Sequence, residues 1–264
     1  MIAIDQAGSG TPLVLLHGIG ASRAIWHRVM PYLAREHLVL TPDLPGFGDS
    51  AAVGSGFDLR LTAIALADGL ARRTAEPFDL LGNSLGGAVG LALAVERPEL
   101  VRRLVLAAPA GFSPRPWPLP AAAGLAIGPA MALRRTFGAP VSAIPAARSV
   151  LLRGAIAQPG RLPPEEARMM LEASRRSRRI GAALETVLRT DLTGQLRELE
   201  APLGLIWGRL DRVIPISTLE SIRALKPAAV VETIADAAHV PQAERPREFV
   251  AALRRVLDRL ADTD

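Results

Sequence analysis

Largely apolar runs of four or five residues alternate along the chain with longer stretches whose apolar residues recur at helical spacing. Runs of consecutive apolar residues predict strands that are buried on both faces, unlike the alternating pattern of a half-exposed strand. Strands that alternate with helices are typical of βαβ units and of parallel sheets. We therefore predict an α/β fold with a mostly parallel, doubly wound sheet. The predicted strands are 13–17, 38–41, 78–81, 104–107, 203–207 and 230–234, and the predicted helices are 24–35, 59–73, 85–96, 219–225 and 247–260.

One long segment, from Ala110 to about Thr190, interrupts this alternation. It contains no strand-like run, opens with four prolines between positions 114 and 120, and continues with helical stretches that are separated by Gly-Pro and Pro-Pro pairs. The clearest helical pattern within it covers residues 164–179. We predict an all-helical cap (lid) at 110–190, inserted into an α/β core that is formed by residues 1–109 and 191–264.

Composition excludes several classes of protein and site. The 264 residues include no cysteine, which excludes disulfides, thiolate metal sites and a cysteine nucleophile. The net charge is +5, but nearly all basic residues are scattered arginines and aromatic residues make up only 4% of the chain. We therefore expect no nucleic-acid partner. We interpret the densest basic run, at 175–179, as the solvated face of a helix.

The chain shows no evident targeting or membrane segment. Met1 is followed at once by a strand-like Ile-Ala-Ile without a basic region or an apolar core, so we expect no signal peptide and a cytoplasmic protein. The apolar stretch at 121–133 contains Gly and Pro and is shorter than the about 20 residues that span a bilayer. We expect no stable membrane insertion, and the oligomeric state stays open.

The strongest local signal is the run at 82–87, Gly-Asn-Ser-Leu-Gly-Gly, which lies between a predicted strand and a predicted helix. A G-x-S-x-G turn in this setting exposes a nucleophilic serine. The tight turn needs neighbours without side chains, and it aims the hydroxyl at the positive end of the helix. The spacing differs from both common glycine patterns that bind phosphate. We predict that Ser84 is a nucleophile.

Three further segments resemble those of the α/β-hydrolase family. Residues 15–20, Leu-Leu-His-Gly-Ile-Gly, are similar to its H-G-x-G segment, and residues 42–50, Pro-Asp-Leu-Pro-Gly-Phe-Gly-Asp-Ser, are similar to its D-x-P-G-x-G-x-S loop. Residues 205–215, Leu-Ile-Trp-Gly-Arg-Leu-Asp-Arg-Val-Ile-Pro, resemble its W-G-x-x-D-x-x-x-P segment. The resemblance extends from about residue 13 to residue 260, except in the insertion.

This resemblance implies a role for each residue of the site. The backbone N–H groups of Ile19 and Leu85 would form an oxyanion hole. The family's chain order is nucleophile, acid, histidine, and His239 alone among the four histidines follows Ser84, so it is the expected base. Asp211 is the expected acid that orients this base.

Other conspicuous polar residues are expected to stay outside the chemistry. His17 is interpreted as a structural residue that binds nearby loops. Asp43 and Asp49 lie in a turn that is shaped by glycines and prolines. Asp236 is the rival to Asp211 as the acid, but it lies too close in sequence to His239 for the usual geometry.

The resemblance implies acyl transfer through an acyl-enzyme, without a cofactor or a metal ion. We expect the substrate to be a carboxylic ester of a small or medium apolar compound. A C–C bond hydrolase of the meta-cleavage-product type is the main alternative, because the run at 82–87 also resembles its serine turn. That group usually has Gly before the histidine and Trp two residues after it, whereas here Ala238 precedes His239. A cofactor-free perhydrolase or haloperoxidase and a non-catalytic binding protein of this fold are further alternatives.

Overall fold

Seven strands form one sheet in the computed structural model, which describes residues 1–112, 133, 135–138 and 140–262. Their order is β1-β3-β2-β4-β5-β6-β7. β1 pairs with β3 in the antiparallel direction, and every other neighbouring pair is parallel. The strands are β1 Ile4–Ala7, β2 Thr11–Leu16, β3 His37–Pro42, β4 Phe78–Asn83, β5 Val101–Ala107, β6 Leu203–Gly208 and β7 Val230–Ile234.

Helices cover both faces of this sheet. Residues of α2, α3, α7 and α8 form the apolar layer on one face, whereas residues of α1, α5 and α10 belong to the layer on the other face. The helices are α1 Met30–Leu33, α2 Leu59–Leu70, α3 Leu85–Glu96, α4 Pro145–Leu151, α5 Pro164–Arg176, α6 Ile180–Arg189, α7 Thr193–Glu198, α8 Ser217–Leu225, α9 Pro241–Glu244 and α10 Pro246–Ala261.

Burial explains why the strand sequences are so apolar. Every residue of β4 and β6 is buried, as expected for central parallel strands with helices on both sides. Residues 85–94 of α3 are also all buried, so this helix lies inside the fold instead of on its surface. The predicted doubly wound, mostly parallel sheet is confirmed.

Two predicted helices differ from the observed ones. The pattern at 24–35 predicts one helix, but the structure has a 3₁₀ turn at Arg23–Trp26 followed by the short α1. Pro31 has no N–H to donate, so it is compatible with the start of a helix but not with its interior. The helix predicted to reach residue 179 ends at Arg176.

The described part of the segment between β5 and β6 consists of helices joined by turns, with a 3₁₀ turn at Pro159–Arg161 and a single bridge between Arg153 and Ile156. The helices α4, α5 and α6 lie within it, and α7 follows them before β6. The prolines that were predicted to open the insertion, and its apolar stretch up to residue 132, lie outside the described residues. In the described part of the chain, no helix is long and apolar enough to cross a membrane.

Candidate active site

All the predicted site residues lie at one edge of the sheet. Ser84 follows β4, Asp211 follows β6 and His239 follows β7, while the turn that contains Ile19 follows β2. Parallel strands bring their carboxyl ends to the same edge, which is where open α/β sheets bind their ligands. Residues far apart in sequence therefore meet in one place.

Ser84 has a strained backbone conformation. Its φ is +55° and its ψ is −117°, a combination that side-chain-bearing residues rarely adopt. The turn is possible because its neighbours are glycines: a Cβ on Gly82 would lie 2.2 Å from the Gly86 carbonyl oxygen, and a Cβ on Gly86 would lie 2.3 Å from the Leu16 carbonyl oxygen. Ser84 thus occupies the position just before α3, between strand and helix, as the glycine pattern predicts.

His239 and Asp211 form a buried pair. The Nδ1 atom of His239 lies 2.7 Å from Oδ2 of Asp211, and only 7% of each residue is exposed. The other carboxylate oxygen, Oδ1, accepts hydrogen bonds from the N–H groups of Val213 and Ile214, at 2.8 and 2.9 Å. Because a carboxylate oxygen can only accept, Nδ1 of the ring is the donor in this contact, and in a neutral ring the lone pair then lies on Nε2.

The main chain of His239 is bound to the residue beside Ser84. The side-chain amide of Asn83 donates to the carbonyl oxygens of His239 and Ala107, at 3.1 and 3.0 Å. Gln242, which is completely buried, donates in turn to Oδ1 of Asn83 at 3.2 Å. Asn83 therefore joins the end of β4 to the loop that carries the histidine.

The turn at Ile19 packs directly against the serine. A Cβ on Gly18 would lie only 3.2 Å from Cβ of Ser84. Within the described residues, neither the N–H of Ile19 nor that of Leu85 donates to a protein acceptor. The N–H of Leu85 belongs to the first turn of α3, where such groups have no partner inside the helix. Both N–H groups are thus without a protein acceptor in the described part of the chain.

His17 holds this turn in a fixed orientation. Its Nε2 accepts a hydrogen bond from the N–H of Leu44 at 3.0 Å, so Nδ1 carries the proton and donates to the Gly18 carbonyl oxygen at 2.9 Å. Since a peptide unit is planar and trans, holding the carbonyl of Gly18 also orients the N–H of Ile19 in the opposite direction. Burial lowers the pKa of His17, which keeps the ring neutral as these bonds require. The structural role that was predicted for His17 is confirmed.

The other acidic candidates lie in structural contacts or in solvent. Asp43 is completely buried, forms an ion pair with Arg23 and accepts from the backbone N–H of Asp49 at 2.8 Å. Asp49 itself pairs with Arg23 at 3.0 Å. Asp236 is exposed, and the contact with His239 is made by Asp211.

The segment between β5 and β6 contacts the histidine loop. The N–H of His239 donates to the carbonyl oxygen of Ala155 at 3.1 Å. The carboxylate of Glu244 accepts from the N–H groups of Ala238 and Ala157, at 2.8 and 2.6 Å. Burial raises the pKa of Glu244 above its ordinary value, although both N–H groups favour the charged form. One carboxylate thus binds the inserted segment to the residue that precedes the histidine.

The basic run at 175–179 is only partly a solvated face. Arg175 is exposed, as predicted. Arg178 is also exposed and Arg179 is half-buried, but both follow the end of the helix, so the predicted helix face does not extend to them. Their guanidinium groups bind the carbonyl oxygens of Ser50, Gly54 and Ser55. Their backbone N–H groups also donate to the carbonyl oxygen of residue 46, which ends the helical pattern and joins the segment to the loop after β3.

Comparison with known proteins identifies the family. The model of the alpha/beta hydrolase family matches residues 13–253, which is most of the chain. The chain belongs to the α/β-hydrolase family. The predicted family is therefore confirmed, and so is the prediction of a hydrolase of this fold.

Relatives of this α/β-hydrolase include several esterases. It is 31% identical to a pimeloyl-[acyl-carrier protein] methyl ester esterase of Aeromonas hydrophila subsp. hydrophila, over 94% of this chain and 96% of that protein. It is 42% identical to a 2-hydroxymuconate semialdehyde hydrolase of Pseudomonas sp. strain CF600, but over only 42% of this chain and 40% of that protein. A crystal structure described as a membrane phospholipase A superposes with a TM-score of 0.81 at 30% identity, covering 98% of this chain and 83% of that one.

Sequence reasoning did not identify the residues that support this site in the α/β-hydrolase. Asn83 stands inside the serine turn, so its position gave a signal, but its bond to His239 joins residues that are 156 positions apart. Gln242 and Glu244 follow the histidine closely, and no spacing rule singles them out. Their roles follow only from the folded arrangement.

Proposed function

We propose that this α/β-hydrolase is a serine hydrolase of carboxylic esters, with Ser84 as the nucleophile, His239 as the base and Asp211 as the orienting acid. The observation that carries the proposal is the buried 2.7 Å contact between Nδ1 of His239 and Asp211, on the loop that Asn83 binds beside Ser84. Relatives that are named esterases along nearly the whole chain support the same reaction class.

The geometry supports a two-step acyl transfer. Nε2 of His239 takes the proton of Ser84 as its oxygen attacks the ester carbonyl, and Asp211 stabilises the imidazolium that forms. The N–H groups of Ile19 and Leu85 stabilise the oxyanion, and each such donor typically contributes about 10²–10³ in rate. The same histidine then protonates the departing alcohol and activates the water molecule that releases the acyl group.

The substrate in this proposal is an ester with a small or medium apolar acyl or alcohol group. Residues 110–190 act as a cap over this substrate, and residues 1–109 and 191–264 form the α/β core. Two hydrogen bonds of this segment support the proposal: the N–H of His239 donates to the carbonyl oxygen of Ala155, and the N–H of Ala157 donates to the carboxylate of Glu244. A cap of this kind excludes water and encloses apolar groups.

A second candidate is hydrolysis of a C–C bond in a meta-cleavage product. The observation that favours it is the 42% identity to a 2-hydroxymuconate semialdehyde hydrolase, although this similarity covers only 117 residues. A panel of p-nitrophenyl and methyl esters, assayed beside a dienoate diketone, separates the candidates. We expect kcat/KM for the best ester to exceed that for the diketone, and the reverse order would favour the C–C hydrolase.

Active-site labelling tests the triad directly. A fluorophosphonate should label Ser84 alone, because the reagent reports a hydroxyl that is activated by a neighbouring base. Ser84→Ala and His239→Ala should each remove nearly all turnover, and the double variant should be little worse, since these residues act as a unit. Peptide mapping of the labelled protein and single-variant kinetics are the measurements. Label on another serine, or active protein without label, would contradict the assignment.

A further inference from the structure

Ser174, on α5, makes a contact between the inserted segment and the oxyanion turn. Ser174 is completely buried, and its Oγ lies 2.8 Å from the carbonyl oxygen of Gly20. The carbonyl oxygen of Met170, one helical turn earlier, lies at 3.4 Å, near the limit for a hydrogen bond. The hydroxyl therefore donates mainly to Gly20, which is 154 positions away in sequence.

Gly20 belongs to the tight turn that presents the Ile19 N–H. The N–H of Ala21 donates to the carbonyl oxygen of Gly18 at 3.2 Å, which closes a four-residue turn. Gly20 has a φ of +68° at the third position of this turn, where only glycine is unstrained. Because glycine is also the most flexible residue, the turn depends on outside contacts to keep one conformation.

The position of this turn is critical because it touches the nucleophile. A Cβ on Gly18 would lie 3.2 Å from Cβ of Ser84. A rotation of the turn would therefore change the distance between the N–H of Ile19 and the ester carbonyl that Ser84 attacks. His17 holds the Gly18 carbonyl at the start of the turn. Ser174 holds the Gly20 carbonyl at its far side, and it does so from the inserted segment.

We propose that Ser174 is a positioning residue for the reaction, because its hydroxyl keeps the Ile19 N–H directed at the oxyanion. This inference rests on the proposed function of Ser84 and of the oxyanion donors. It means that the inserted segment contributes to stabilisation of the transition state as well as to enclosure of the substrate. An oxyanion donor stabilises the transition state more than the bound ester, so its displacement lowers kcat more than it changes KM.

The chain provides a matched control for this proposal. Ser177 is also completely buried and lies just beyond the end of α5, but its hydroxyl donates to the carbonyl oxygen of Ala173 at 2.9 Å, inside the same segment. If buried serines of this segment only stabilise it, Ser174→Ala and Ser177→Ala should have similar effects. If Ser174 positions the turn, only its replacement should affect the chemical step.

The test compares Ser174→Ala, Ser174→Cys and Ser177→Ala with the wild type on p-nitrophenyl butyrate. We expect kcat of Ser174→Ala to fall about 5- to 30-fold, which is less than the about 10²–10³ for a donor that is lost outright. KM should stay within about twofold, and Ser174→Cys should be intermediate because a thiol is a weaker donor. The affinity for benzeneboronic acid, whose serine adduct places an oxygen in the oxyanion hole, should fall in parallel with kcat. Ser177→Ala should keep the kcat of the wild type.

Several outcomes would overturn the inference. An unchanged kcat in Ser174→Ala, or an equal loss in Ser177→Ala, would make Ser174 a simple anchor of the segment. If Ser174→Ala does not fold, Ser174→Cys decides, and an unchanged kcat in this variant would also overturn it. Fluorophosphonate labelling of the wild type keeps the two proposals separate: no label on Ser84 contradicts the proposed function, whereas labelled Ser84 with no Ser174 effect contradicts only this inference.

Discussion

The side-chain amide of Asn83 donates a hydrogen bond of 3.1 Å to the carbonyl oxygen of His239. Asn83 is the last residue of β4 and directly precedes Ser84. The same amide also donates to the carbonyl oxygen of Ala107, at the end of β5. Only 3% of Asn83 is exposed. This one buried side chain therefore fixes the distance between the serine turn and the histidine loop.

We expect Asn83→Asp to lower kcat about 10- to 100-fold, because it displaces the histidine loop relative to Ser84, and to destabilise the fold by about 1–3 kcal/mol because buried polar groups lose their partners. An aspartate has no N–H to donate, and its carboxylate would face the carbonyl oxygens of His239 and Ala107. Steady-state kinetics and thermal unfolding are the measurements. The control is Gln242→Met, which leaves both Asn83 donor bonds in place, so its kcat should fall much less. An equal loss in both variants would mean that Asn83 acts only through packing.

The role of Asp211 can be tested against that of Asp236. We expect Asp211→Asn to lower kcat about 10³- to 10⁴-fold, because an amide in place of the acceptor Oδ2 favours the wrong tautomer of His239. Asp236→Asn, in the exposed turn before the histidine, should keep the wild-type rate. The measurement is kcat on one ester for both variants, with circular dichroism to confirm that each is folded. A large loss in Asp236→Asn with an active Asp211→Asn would show that the acid was wrongly assigned.

Asp79 is expected to matter for stability and not for catalysis. It is completely buried near the start of β4, at the end away from Ser84, and it accepts hydrogen bonds of 2.6 Å from both Arg102 and Arg103. Asp79→Asn should lower the free energy of unfolding by about 1–3 kcal/mol, below the usual cost of breaking a buried pair because Arg102 is 36% exposed. Urea unfolding at pH 7 measures this loss, and kcat should stay unchanged.

The same residue predicts a pH dependence. Burial by itself raises the pKa of Asp79, but the hydrogen bonds from Arg103 and Arg102 outweigh it and hold the pKa below the ordinary value of 3.8. The stabilisation is therefore fully present above that value and is lost as the pH falls through the lower pKa of the folded state. The difference in free energy of unfolding between wild type and Asp79→Asn should shrink below about pH 4. A constant difference across this range would mean that the carboxylate charge does not stabilise the fold.

The proposed cap predicts a chain-length profile. For p-nitrophenyl esters, kcat/KM should rise roughly fourfold per methylene and then drop when the pocket is full, since each buried methylene contributes about 0.8 kcal/mol. Trimming Leu125 or Met131, which lie outside the described residues, should move that drop to longer chains. A flat profile that these variants leave unchanged would mean that the segment does not enclose the substrate.

Replacing Leu152, another apolar residue of the cap, should affect stability instead of the chain-length profile. It is completely buried in the apolar layer that also contains Met170 and Phe249. Leu152→Ala should therefore destabilise the protein by about 2–5 kcal/mol, as other buried leucines do, before it widens any pocket. Thermal and urea unfolding measure this effect, and a wild-type stability would show that the site can collapse around the smaller residue.

Much of this protein can be predicted from local sequence patterns. The apolar runs predicted the parallel strands because buried strands must be apolar on both faces, and the glycines around Ser84 predicted its turn because any side chain there would collide with the backbone. Asp211 and His239 were predicted because their segments and their chain order resemble those of the α/β-hydrolase family, and in the fold both follow parallel strands whose carboxyl ends lie at one edge of the sheet. Apolar patterning, local sterics and resemblance to the family were the basis of these predictions.

The tertiary structure alone decided which side chains hold the site together. The bonds from Asn83 to His239, from Ser174 to Gly20 and from Ala157 to Glu244 join residues that are 156, 154 and 87 positions apart. The guanidinium groups of Arg178 and Arg179 bind carbonyl oxygens of a distant loop, although their sequence pattern is that of a solvated face. A hydrogen bond depends on the distance and the angle between two groups. For residues far apart in sequence, both are set only when the chain packs into its tertiary structure.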